Sequence, residues 1–215
     1  MSNTRLVILI SGSGSNLQAI INACQSNQIK GEVVAVISNK DNAYGLTRAA
    51  NAGINTRVLS HKTFATREDY DVELASLIDS FNPDLVVLAG FMRILSPDLV
   101  QKFNGKMLNI HPSLLPKYQG LNTHQRAIDA KDDVHGVSVH FVTEELDGGP
   151  VVLQAKVPIL ADDTADTLAQ RVHEQEHIIY PLVVQWFSEH RLTMEADYAI
   201  FDDQPLPAQG ATYPK

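Results

Sequence analysis

Five consecutive aliphatic residues, Leu6 to Ile10, run straight into Ser11-Gly12-Ser13-Gly14-Ser15. A short unbroken apolar run of this kind suits a parallel strand covered on both faces, and the glycine-serine turn hands the chain on to a helix. Ser15 or Asn16 can cap that helix, whose Leu17, Ile20, Ile21 and Cys24 fall at helical spacing. The alternation then repeats. Val33 to Ser38 reads as a strand, Gly45 to Ala52 as a short helix, Thr56 to Leu59 as a strand, Thr66 to Ser80 as an amphipathic helix, and Asp84 to Ala89 as the most apolar strand. Strands alternating with helices predict an α/β fold, Rossmann-like and doubly wound, with a mostly parallel sheet in the N-terminal half and helices on both faces.

The C-terminal half follows a different rule. Lys106 to Ile110 is a strand and Asn122 to Ala130 a helix, but Gly136 to Val142 and Val151 to Val157 are strands with no long helix between them. Their closeness predicts that the sheet becomes mixed, with at least one antiparallel pair. A long helix over Thr164 to Phe187 turns Leu168, Val172, Ile179, Val183 and Trp186 inward. No linker or repeat divides the chain, so the expectation is a single domain over 1–200 and a loop-like tail over 201–215.

Composition narrows the partners. With 17 Lys+Arg against 25 Asp+Glu the net charge is 17 − 25 = −8. Such a surface lacks the positive field that wins phosphate contacts, so neither a nucleic acid nor an anionic membrane is the expected partner. No window of about 20 apolar residues is present to span a bilayer, and Leu6 to Ile10 leads into a turn rather than a signal-peptide cleavage site. The lone Cys24, read as a buried thiol, fits a reducing, cytoplasmic setting.

Three stretches carry the residue types that chemistry needs. At Gly12 to Asn16, glycines admit close approach of an anion and the helix start offers N–H groups and a positive dipole end. The spacing is neither a Walker A nor a dinucleotide fingerprint, since no Gly-Lys-Ser/Thr follows and Leu17 stands where a third glycine is required. The same residues also suit a tight turn without ligand. In Asn109-Ile110-His111-Pro112, two-residue alternation aims Asn109 and His111 to one side at a strand end. An amide and an imidazole there can hold and polarise a carbonyl, or can equally serve a turn and a packed edge. In Glu144-Glu145-Leu146-Asp147-Gly148-Gly149-Pro150, Asp147 would favour a charged imidazole if the loop reached His111.

Two weaker signals complete the set. His173-Glu174-Gln175-Glu176-His177 matches the zinc-protease pattern, yet no convincing third ligand follows, and a polar helix face is the better reading, so no metal is expected. Arg67 and Arg93 lie near strand ends and suit carboxylates, beside the apolar Met92, Ile94 and Leu95.

Taken together, Ile10 to Leu17, Ala89 to Leu95, Asn109 to Pro116 and Leu146 to Pro150 closely resemble the phosphoribosylglycinamide formyltransferase family of purine biosynthesis, from about residue 5 to about residue 195. Asn-x-His with the later Asp-Gly-Gly is similar to formyltransferases generally, whereas Gly-Ser-Gly-Ser-Asn-Leu is more particular to this branch. Gln119, where proline is expected, and Asn122, where close relatives often carry histidine, depart from the pattern. The resemblance implies transfer of the formyl group of the co-substrate 10-formyltetrahydrofolate to the primary amine of glycinamide ribonucleotide, without a metal. It further implies Asn109, His111 and Asp147 as catalytic residues, Gly14, Ser15 and Asn16 on the substrate phosphate and Glu176 on its ribose. Arg67, Met92, Arg93, Ile94, Leu95 and Asn109 would bind folate. The alternatives are a formyltetrahydrofolate hydrolase and a non-catalytic sugar-phosphate binding protein.

Overall fold

The computed structural model describes residues 3–214, and the chain forms two compact units, 1–108 and 109–215. Residues 1, 2 and 215 of the spans 1–200 and 201–215 lie outside the described residues.

In the first unit, strands β1 (Thr4–Ile10), β2 (Gly31–Ser38), β3 (Asn55–Val58) and β4 (Leu85–Leu88) run in the order β4-β1-β2-β3, all parallel. Leu6 to Ile10 and Leu85 to Val87 are fully buried, as covering on both faces demands. The connecting helices are α1 (Ser15–Gln25), α2 (Tyr44–Asn51) and α3 (Arg67–Asp79), followed by the short α4 (Pro97–Lys102). Thr66 caps α3 by accepting the Asp69 N–H at 3.0 Å, and Glu68 and Asp69 lie in its first turn, where the helix dipole favours acids.

In the second unit, β5 (Met107–His111), which begins two residues before the unit boundary, is followed by α5 (Thr123–Asp129), β6 (Val134–Phe141), β7 (Val151–Pro158) and α6 (Ala165–Ser188). β6 and β7 pair antiparallel, so the mostly parallel sheet becomes mixed here as expected. α6 begins with a reciprocal capping box between Thr164 and Thr167. Leu168, Val172, Ile179, Val183 and Trp186 are all buried, and the helix continues through Pro181.

The tail departs from the sequence reading. Instead of loop, residues after 201 include β10 (Gln204–Pro205), which joins β8 (Leu192–Glu195) and β9 (Tyr198–Phe201) in an antiparallel meander. β11 (Ala211–Tyr213) then pairs with β7 in parallel register. Gly210 makes that docking possible: a Cβ there would stand 2.7 Å from the Val152 carbonyl carbon, and its φ of 71° is in the left-handed region. A three-residue strand has too few alternating positions to register as a pattern.

Candidate active site

The first unit offers ligands a backbone turn and an anchored loop. β1 delivers the chain to a turn at 12–16, and Gly14 sits at the N-cap of α1 with φ 72° and no side-chain cap. Glycine is needed there twice over, because a Cβ would also lie 2.6 Å from the Gly45 Cα on α2. The uncapped helix start is thus shaped by backbone packing rather than by a capping side chain, leaving the geometry suited to an anion. Arg48, which sequence reasoning missed, donates from Nε to the Ser13 carbonyl at 2.8 Å and brings a cation to the turn. A lone arginine in a short helix carries no pattern to mark it.

The loop after β4 is pinned at both ends. Ser11 Oγ accepts the Met92 N–H at 2.8 Å and donates to Asn39 Oδ1 at 2.6 Å. At the far end the buried Asp71 accepts the Ser96 N–H at 2.5 Å. Between these anchors Met92 and Ile94 are 66% and 58% exposed, more than large apolar side chains gain from facing water, which suits contact with a flat apolar ligand. Leu95 is half-buried. Arg93 lies over the Tyr70 ring at 5.4 Å, with its buried Nε lacking a hydrogen-bond partner. Arg67 is on the surface and pairs with its neighbour Glu68 at 3.0 Å.

In the second unit the side chains converge. β5 carries Asn109 and the buried His111 to its end, and the 143–150 turn brings Asp147 to them. Asp147 Oδ2 is 3.4 Å from His111 Nδ1, with both side chains less than a tenth exposed. His111 Nε2 donates to the Tyr118 carbonyl at 2.8 Å, so both ring nitrogens face acceptor oxygens. Asp147 Oδ2 also accepts the Gly120 N–H at 2.9 Å. Gly149 lets the turn lie against β6, since a Cβ there would be 2.0 Å from the Phe141 carbonyl oxygen. Gln119 donates weakly to the Asp147 carbonyl at 3.4 Å, and Asn122 takes φ 57° just before α5.

A fourth member was not read from the sequence. His140, on β6, places Nε2 3.1 Å from Asn109 Nδ2 and 3.9 Å from Asp147 Oδ1. Burial pushes its imidazole down to about 4, against the opposing pull of the Phe141 carbonyl and the Asp147 charge. Its one visible signal was a histidine in the alternating stretch Val137-Ser138-Val139-His140-Phe141.

Glu176 is buried on α6, 3.9 Å from His173 Nε2, while His173 and His177 are exposed with rings stacked 6.3 Å apart. Among the described residues no group of three His, Cys, Asp or Glu is arranged to hold a metal ion.

A carboxylate, an imidazole and an amide meeting beside the C-terminal end of β5 form a polar group suited to acyl transfer, and residues 4–184 match the formyl transferase family. The chain belongs to that family. Within it, the chain is 60% identical over 205 residues to the phosphoribosylglycinamide formyltransferase of Escherichia coli, covering 95% of this chain and 97% of that one. It is 52% identical to the enzyme of the same name from Haemophilus influenzae, over 96% of this chain and 97% of that one. A solved structure of the phosphoribosylglycinamide formyltransferase of Coxiella burnetii superposes with a TM-score of 0.95 at 50% identity, covering 99% of this chain and 100% of that one.

Proposed function

We propose that the chain transfers the formyl group of 10-formyltetrahydrofolate to the primary amine of glycinamide ribonucleotide, a step of purine biosynthesis carried out in the cytoplasm. The observation that carries this reading is the Asn109–His111–Asp147 group in a chain 60% identical to a phosphoribosylglycinamide formyltransferase. The chain acts on small-molecule substrates, without a metal, a nucleic acid or a membrane.

The amine lone pair attacks the formyl carbon, and the carbonyl π pair moves onto oxygen. Asn109 and His111 donate hydrogen bonds to that oxyanion, which needs them more than the starting carbonyl does. The formyl oxygen takes the place of the Tyr118 carbonyl at His111 Nε2. Asp147 balances the imidazolium charge and assists the proton from the attacking nitrogen to the folate nitrogen as the C–N bond to folate breaks. Gly14, Ser15 and Asn16 hold the nucleotide phosphate, and Glu176 its ribose. Met92, Arg93, Ile94 and Leu95, with Asn109, hold the folate, while Arg67 meets its anionic end; the Glu68 carboxylate, Arg67's partner in the free protein, yields it on binding.

The test is consumption of 10-formyltetrahydrofolate, followed by folate absorbance, with and without glycinamide ribonucleotide. Turnover that requires the nucleotide supports the transferase. Turnover without it selects the hydrolase, and nucleotide binding with no turnover selects the sugar-phosphate binding protein.

A further inference from the structure

The amide of Asn109 can present either an N–H or a carbonyl to a reacting oxygen, and only the N–H is useful. Nothing in the amide itself decides which. The neighbouring His140 does, through a short chain of hydrogen-bond requirements. Its Nδ1 lies 2.8 Å from the Phe141 carbonyl oxygen, which can only accept, so Nδ1 carries the hydrogen. The ring is 2% exposed, and burial keeps it neutral, pushed down to about 4. A neutral imidazole carries one N–H, so Nε2 is a bare lone pair. That lone pair, 3.1 Å from the Asn109 amide, accepts from Nδ2–H and would repel Oδ1.

We infer that His140 is a positioning residue: its Nε2 lone pair takes one hydrogen of Asn109 Nδ2 and so leaves the second for the oxygen of the transferred group. The inference rests on the formyltransferase reading for the identity of that oxygen, and on this structure alone for the hydrogen bond. Asp147 Oδ1 faces the same Nε2 at 3.9 Å. If the ring were charged, its Nε2–H would turn to that carboxylate and Asn109 would lose its acceptor. The other charged or titratable group facing the ring is His111, whose charge disfavours protonation of His140, in the direction the positioning role needs.

Two measurements test this. In protein labelled with 15N-histidine and examined near pH 7 without substrates, His140, assigned by its loss in His140→Gln, is expected as the neutral tautomer protonated at Nδ1. An Nε2-protonated or doubly protonated ring overturns the inference, and this readout does not depend on turnover. In kinetics, His140→Leu, which offers no acceptor, is expected to lower kcat about 10²-fold, the scale of one lost oxyanion donor, with both KM values within about threefold. His140→Gln, whose amide oxygen reaches roughly the Nε2 position, is expected to recover at least about tenfold of that loss, with the pH profile unchanged in shape. Wild-type kcat in His140→Leu, a folded His140→Gln no better than His140→Leu, or loss of the acid limb of the profile in His140→Gln each overturns it. Failure of the wild type to use the nucleotide would instead overturn the functional reading and leave the tautomer result standing.

Discussion

The first unit meets its candidate ligands with main chain at the 12–16 turn and with a backbone-anchored loop at 91–95, whereas the second meets them with polar side chains, the half-buried Asn109 and the more deeply buried His111, His140 and Asp147. The difference teaches where each site is fragile. A backbone site tolerates most side-chain changes but fails where a Cβ has no room. A side-chain site keeps its shape under isosteric change yet loses its chemistry with a single proton or lone pair. In a formyltransferase this divides holding from reacting.

The sharpest way to break that division is at His111. His111→Ala is expected to lower kcat by about 10²–10⁴-fold, the range for a lost proton-transferring group. Asp147→Asn should follow in the same direction, and steady-state kinetics with both substrates checks the pair. Next in size, Gly14→Ala forces a side chain into φ 72° and against the Gly45 Cα. It should weaken nucleotide binding by more than about tenfold and cost about 1–3 kcal/mol of stability, measurable by calorimetric titration and by denaturant melts.

Asp71→Ala sharpens the same contrast from the folate side. It leaves the Ser96 N–H without its buried acceptor, at a cost of about 1–3 kcal/mol, and loosens the 91–96 loop. The folate KM should rise several-fold with kcat little changed.

Acid should act through the second unit. Burial lowers His140 to about 4, and burial together with the neighbouring His124 lowers His135 to about 4. Their unfolded values lie near 6.5, so between about pH 6.5 and 4 the unfolded chain binds more protons. The stabilisation is therefore complete above about pH 6.5 and is lost as pH falls toward 4. Urea melts at pH 7.5 and 5 check this, and His135→Gln should flatten the difference. The smallest effect is expected at the exposed Arg67–Glu68 pair: Glu68→Gln should lower the melting temperature by about 1–3 °C, through loss of one acid from the first turn of α3, since the exposed ion pair itself contributes little.

The same contrast governs what could be read from the chain beforehand. The parallel layer was legible because Leu6 to Ile10 and Leu85 to Leu88 are continuous apolar runs, and because helix spacing separates them. The catalytic candidates Asn109 and His111 were legible because alternation at a strand end is local. What brings Asp147 to them is not local: His111 and Asp147 stand 147 − 111 = 36 positions apart and meet only once the turn after β6, shaped by Gly149 against Phe141, lies beside the end of β5. His140 was hidden for the same reason, since a histidine in an apolar strand acquires its role only from the amide across from it. β11 escaped because its pairing with β7 joins residues nearly sixty positions apart, as in Ala211 opposite Leu153.

The central claim is that holding and reacting are separable, and one paired measurement tests it most directly: nucleotide affinity by calorimetric titration and kcat by folate absorbance, in His111→Ala and Gly14→Ala side by side. The account predicts that His111→Ala binds glycinamide ribonucleotide within about threefold of wild type while kcat falls at least about 10²-fold, and that Gly14→Ala does the reverse. If His111→Ala lost nucleotide affinity while kcat at saturation stayed at the wild-type value, the second unit would be holding rather than reacting, and the account would be wrong.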